Sequence, residues 1–193
     1  MNIVIASHNE DKVKEFRKML FGFFDNILSL NDLGITKVVD ETGETFAENA
    51  YLKAKEIKAL TEYAVLADDS GLGVEVLNGA PGILSARYAG ENASAAQCRK
   101  KLLSELADKH NRRAKFVCAL CYISETGKVI EAVGETFGEI TDQSFEDKGS
   151  NGFGYDCIFF SYDLDTTFAL CSIEQKNKVS HRSRAICELL KNF

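Results

Sequence analysis

The sequence predicts an α/β protein built on a mixed, twisted sheet with flanking helices. Short apolar runs of strand length alternate along the chain with segments of helical periodicity, and no region collects only strands or only helices. With 193 residues, 45% hydrophobic and 27% charged, the chain is long enough to bury its own core without disulfides. No repeat, low-complexity tract or Pro-rich hinge interrupts it, so residues 1–193 read as one domain, bilobed at most.

Ile3-Val4-Ile5-Ala6 predicts a buried strand, and Val13, Phe16 and Leu20 mark the apolar side of a helix ending near Gly22. Thr45-Phe46-Ala47-Glu48 is a capping box opening a second helix. Its stripe is Phe46, Ala50, Ala54 and Ile57, while Glu48, Asn49, Lys53 and Glu56 fall on other faces. Ala64 to Ala67 predicts a second strand and Leu72 to Leu77 a third, with Asp68-Asp69-Ser70-Gly71 as the connection. After the loop through Pro81, a helix is expected from about Ala93 to Ala107. Lys115–Ile123 and Val129–Phe137, split by Glu125-Thr126-Gly127, predict an antiparallel pair. Gly152 to Phe160 reads as a glycine-led loop entering a strand. A last helix carries Val179, Ile186, Leu189 and Leu190, with Ser180 placed to cap a fresh start at His181.

The net charge of -6 argues against a general nucleic-acid binder. From Cys171 onward, however, Lys176, Lys178, Arg182, Arg184 and Lys191 oppose only Glu174 and Glu188, a balance suited to an anion. The six cysteines are scattered through apolar segments and read as reduced core thiols. No leader-like or membrane-spanning run is apparent, so a cytoplasmic protein without membrane attachment is expected.

Four segments carry chemistry. Ser7-His8-Asn9-Glu10-Asp11-Lys12 joins a strand to a helix, where first-turn amides and a lysine suit a phosphate, although it lacks P-loop glycines and also fits an ordinary connection. Asp68-Asp69 ends an apolar strand; two adjacent carboxylates suit Mg²⁺, with a distant acid such as Glu41, or simply cap a solvated turn. Phe153-Gly154-Tyr155-Asp156 combines flexible backbone, rings and an acid, the parts that stack a base and bond its edge, or that anchor a core turn. Ser180-His181-Arg182 sets a planar cationic fork beside a helix start. Cys118-Ala119-Leu120-Cys121 has metal-site spacing, but in a strand its sulfurs point to opposite faces, which favours core thiols.

In order, Ser7-His8-Asn9-x-x-Lys12, Thr45-Phe46-x-Glu48-Asn49-Ala50-x-x-Lys53-Ala54, Ala67-Asp68-Asp69-Ser70-Gly71, Gly79-Ala80-Pro81-Gly82, Ser85-Ala86-Arg87, Phe153-Gly154-Tyr155-Asp156 and Ser180-His181-Arg182 resemble the inosine triphosphate pyrophosphatase family, also described as XTP/dITP diphosphatases. The resemblance runs nearly end to end. Cys157 and Ser183 stand where the family usually has proline and glycine.

The resemblance implies a two-lobed fold around a nucleotide cleft, a homodimer, and Mg²⁺-dependent hydrolysis of non-standard purine triphosphates (ITP, dITP, XTP) to monophosphate and pyrophosphate. Asp69 becomes the proton acceptor and a metal ligand, and Glu41 the other metal carboxylate. Ser7, His8, Asn9, Glu10, Asp11, Lys12, Lys53, Ser70, Phe153, Gly154, Tyr155, Asp156, Lys176, His181 and Arg182 become substrate-binding residues. Phosphoryl chemistry needs charge neutralisation and alignment, which metal and lysines supply together. A Maf-like pyrophosphatase and a catalytically silent nucleotide sensor are the competing readings. His181-Arg182 counts against the first and the intact Glu41, Asp69, Lys12 and Lys53 set against the second.

Overall fold

A computed structural model describes residues 1–142 and 153–193. The elements are β1 (Asn2–Ile5), α1 (Glu10–Met19), β2 (Asn26–Ser29), α2 (Phe46–Lys58), β3 (Ala64–Val74), α3 (Ala95–Glu105), β4 (Arg113–Ile123), β5 (Val129–Ile140), β6 (Phe159–Ser161), β7 (Thr166–Thr167), α4 (Ile173–Val179) and α5 (His181–Leu190). The strands form one sheet in the order β2-β1-β3-β4-β5-β6-β7. β1 runs parallel to β2 and β3, while β6 is antiparallel to β5 and β7, so the expected mixed α/β sheet is present. Gly152, expected to lead the loop before β6, lies outside the described residues.

The chain divides into two compact units, residues 1–69, 118–134 and 182–193 in one, residues 70–117 and 135–181 in the other. In the first, strand alternation sorts the apolar side chains into two cores. Ile3, Ile5, Ala64 and Leu66 meet Val13 and Phe16 of α1 and Ala185, Ile186 and Leu189 of α5. Val4, Ala6, Val65 and Ala67 meet Ala50, Ala54 and Ile57 of α2. Cys118 joins the first core and Cys121 the second, so the CxxC spacing holds no shared site. In the second unit, Leu72, Val74, Leu102 and Leu106 pack around the rings of Phe116, Phe159 and Phe168. Phe116 lies 4.7 Å from Phe159 and 6.0 Å from Phe168, centroid to centroid. β5 approaches β6 so closely at Gly138 that a Cβ there would sit 2.1 Å from the Phe160 carbonyl oxygen.

Two expectations and one omission need correction. Asp68-Asp69-Ser70-Gly71 is not a connection: β3 runs unbroken through it to Val74, and residues 75–77 form a 3₁₀ turn. Turn-forming residues stay extended here because the carboxylates find cations on both faces of the strand, as described below. β2 was not anticipated, since Asn26 and Ser29 bracket only two apolar residues; its parallel pairing with β1 defines it. Finally, all six cysteines are free, but Cys187 is exposed on α5 rather than in the core. The break between the last helices falls as expected, with Ser180 extended between Val179 and His181.

Candidate active site

β1 and β3 run parallel with Ile5 opposite Leu66, so the segment leaving the carboxyl end of β1 runs beside the Asp68-Asp69 pair in the middle of the longer β3. The carboxyl ends of strands are where open α/β sheets gather functional groups. Because successive strand residues face opposite sides, Asp68 extends the Ala64–Leu66 row toward α1 and α5, and Asp69 extends the Val65–Ala67 row toward α2.

On the first face, Lys12 Nζ donates to Asp68 Oδ2 at 2.9 Å, and Arg182 Nε stands 4.0 Å from the same oxygen. Arg182 Nη1 donates to Glu15 Oε2 at 2.8 Å. Asp68 and Arg182 are almost fully buried, and Lys12 and Glu15 partly so. Burial by itself would raise the Asp68 carboxyl, but Lys12, Lys53 and Arg182 outweigh it and hold the group well below the usual carboxylate range. Arg182 is likewise opposed by burial and kept charged by Glu15 and Asp68.

On the second face, Asn49 Nδ2 donates to Asp69 Oδ2 at 3.1 Å, and Lys53 Nζ lies 3.7 Å from Asp69 Oδ1. The same ammonium donates to Glu41 Oε1 at 2.7 Å. The capping box holds this end of α2 as the sequence requires: Thr45 Oγ1 accepts from Glu48 N at 3.1 Å, and Glu48 Oε2 accepts from Thr45 N at 3.1 Å. Burial, with the charges of Glu41 and Asp68, raises Asp69 to about 6 against the pull of Lys53 and Asn49. A carboxylate titrating there can take a proton near neutral pH.

Among the described residues no cluster of three or more His, Cys, Asp or Glu stands ready to hold a metal. Mg²⁺ asks for less. It takes one or two protein carboxylates, keeping waters and substrate phosphates for the rest of its octahedron. Glu41 and Asp69, hard oxygen donors gathered around a single lysine, fit that ion.

The structure therefore brings Lys12, Glu41, Lys53 and Arg182 around Asp68 and Asp69 of β3. Other expected residues have separate partners. Ser7 Oγ accepts from Asn9 N at 3.1 Å, and Asn9 Oδ1 caps α1 by accepting from Asp11 N and Lys12 N. His8 Nε2 meets the Lys37 carbonyl oxygen at 3.0 Å, Glu10 accepts from Asn31, and Asp11 pairs with Lys14. In the second unit, Ser70 is half-buried on β3. Lys176 Nζ donates to Asp156 Oδ2 at 2.8 Å and lies 5.3 Å from the Phe153 ring centroid, while Phe153 N donates to the same carboxylate oxygen. The Gly154 carbonyl accepts from Arg99, and Tyr155 donates its hydroxyl to the Ser85 carbonyl at 2.8 Å. His181 is stacked on Phe116 at 4.7 Å.

Sequence reasoning missed Glu15 and Asn49 as site residues. Asn49 was assigned to an outer face of α2, yet it is completely buried. Its position four residues before Lys53 was the available signal, since both then share one helix face. Glu15, three residues after Lys12 on α1, carried the same signal.

Residues 3–192 match the Ham1 family. The chain is 44% identical over 198 residues to a dITP/XTP pyrophosphatase of Clostridium perfringens, covering 98% of this chain and 96% of that one. It is 46% identical over 191 residues to a dITP/XTP pyrophosphatase of Haemophilus influenzae, covering 97% and 96%. The Staphylococcus aureus Ham1 protein superposes with a TM-score of 0.86 at 44% identity, covering 100% of this chain and 97% of its own. Near-complete coverage on both sides, in sequence and in fold, shows that the chain belongs to the Ham1 family.

Proposed function

We propose that this chain hydrolyses non-standard purine nucleoside triphosphates, namely dITP, XTP and ITP, to the monophosphate and pyrophosphate, working with Mg²⁺ as a homodimer on the cytoplasmic nucleotide pool. Its relatives' names, dITP/XTP pyrophosphatase, support the substrate class. The observation that carries the reaction type is Asp69, buried within β3, raised to about 6, and set beside Lys53 and Glu41.

In this reading Glu41 and Asp69 hold the metal. When bound, Mg²⁺ supplies charge neutralisation on the phosphate oxygens and lowers the pKa of a water. Asp69 accepts the proton of the water whose oxygen bonds to the α-phosphorus, as the bond from that phosphorus to the bridging oxygen breaks and pyrophosphate leaves. Lys12 and Lys53 hold phosphate oxygens, with Lys12 aimed by Asp68. Ser7 to Asp11 and Ser70 line the phosphate path in the same scheme. Phe153 to Asp156, Lys176, His181 and Arg182 recognise the nucleoside, with donors that suit a 6-keto purine and are left unpaired by a 6-amino group.

The test is a triphosphate panel, dITP, XTP, ITP, dATP and dGTP, assayed for monophosphate and pyrophosphate with Mg²⁺ and with chelator. Metal-dependent pyrophosphate release from the first three, lost in a folded Asp69→Asn protein, is expected. Release of orthophosphate, or full activity in chelator, overturns the reading.

A further inference from the structure

We propose that Asn49 is a positioning residue for Asp69, clamping its carboxylate to the backbone of the loop that carries Glu41; the catalytic meaning of this clamp rests on the pyrophosphatase reading above. Asn49 is completely buried, and its partners assign both ends of its amide. Gly43 N donates to Oδ1 at 2.8 Å, which only the oxygen end can accept, so Nδ2 is the end that faces Asp69 Oδ2 at 3.1 Å. The flipped amide would set N–H against N–H and oxygen against carboxylate.

The loop is built for this contact. A Cβ on Gly43 would lie 2.8 Å from Asn49 Oδ1 and 2.7 Å from Glu48 Cβ, so glycine is what lets the backbone come this close. The next two amides are also bound: Glu44 N and Thr45 N both donate to Glu48 Oε2, at 2.7 and 3.1 Å. Two neighbouring side chains of α2 thus fasten three successive amides, beginning two residues after Glu41. The same Asn49 amide takes one oxygen of Asp69 and leaves Oδ1 on the side of Lys53. One residue therefore sets the rotation of the Asp69 carboxylate and the path of the segment bearing Glu41.

Three variants test this by steady-state kinetics on XTP and by urea unfolding. Asn49→Asp keeps the shape and the acceptor for Gly43 N but turns an oxygen toward Asp69. Gly43→Ala pushes the loop off Asn49 and leaves Asn49 itself in place. Both are expected to lower kcat ~10–100-fold, the scale of a misplacement of about 1 Å. KM should stay within ~3-fold, because Lys12 and Lys53 are untouched. The exchange Asn49→Asp with Asp69→Asn restores a donor–acceptor pair with its polarity reversed. It is expected to be inactive, yet to be more stable than the sum of the separate Asn49→Asp and Asp69→Asn effects predicts, since the buried partners are again satisfied. Unchanged kcat in Asn49→Asp, or a loss that follows unfolding alone, overturns the positioning role. If the wild-type protein releases no pyrophosphate, the pyrophosphatase reading fails instead, and the exchange decides the clamp alone: stability above the sum of the two single changes supports it and strict additivity refutes it.

Discussion

Asp69 carries a carboxyl raised to about 6 by burial and by the neighbouring charges of Glu41 and Asp68. Between that value and the ordinary value near 4, the folded protein binds a proton that the unfolded chain releases, so this group's contribution to stability grows as pH falls from 7 toward 4. Asp69→Asn, which removes the charge, should therefore be more stable than wild type by about 1–3 kcal/mol at pH 7.5 in chelator, with the advantage gone near pH 4. Paired melts from pH 4.5 to 8 check this, and an advantage that widened on acidification would have the wrong sign. Asp68 behaves oppositely: its lowered carboxyl contributes stability above about pH 4 that disappears on acidification. At Arg182, truncation to alanine removes the buried cation that Glu15 accepts from and one of the cations facing Asp68, and should cost about 3–5 kcal/mol. Selectivity is better tested with Arg182→Lys, which keeps the charge and removes the planar fork. If the fork reads the purine O6, the kcat/KM ratio of XTP to dATP should narrow ~10–100-fold. Equal losses on both substrates would move Arg182 to the phosphates.

At the scale of elements, α2 links stability to the site. Its capping box was legible because Thr45 and Glu48 bond to backbone groups within three residues. Thr45→Ala should cost about 1 kcal/mol, measured by urea unfolding. Since the same turn fastens the Glu41 loop, Thr45→Ala should also lower kcat, whereas Ser94→Ala, at the matching cap of α3, should lower stability alone. Equal kinetic effects from the two caps would separate the α2 turn from catalysis. β3 was legible only at its two ends. Asp, Ser and Gly are turn formers by local preference, and nothing within a few residues announces that Lys12, Arg182, Lys53 and Asn49 will satisfy the two carboxylates within the strand.

At the scale of the molecule, the sulfurs report on burial. Cys187 alone is exposed, while burial raises the Cys118 and Cys171 thiols and lifts Cys121 to about 12. One thiol should react rapidly with a thiol reagent in the native protein and all six after unfolding. Rapid reaction of several in the native state would contradict the burial of the other five in the cores of the two units. Among the described residues no helix is long and apolar enough to cross a membrane. Local rules made much of the protein readable in advance: the mixed α/β class, the helix caps, the opposite faces of Cys118 and Cys121, and the ordered motifs that mark the family. All of these depend on residue type and on spacings of a few positions. Which charges meet was not readable in that way. Asp68 and Asp69 look alike in sequence, and the side of β3 that each faces depends on which helix packs there. Arg182 reaches Glu15 across 167 positions, and Lys12 reaches Asp68 across 56. Such contacts come from folding the whole chain, because a buried ion pair takes its partner from whatever the packed elements bring within a few ångströms, at any distance along the sequence.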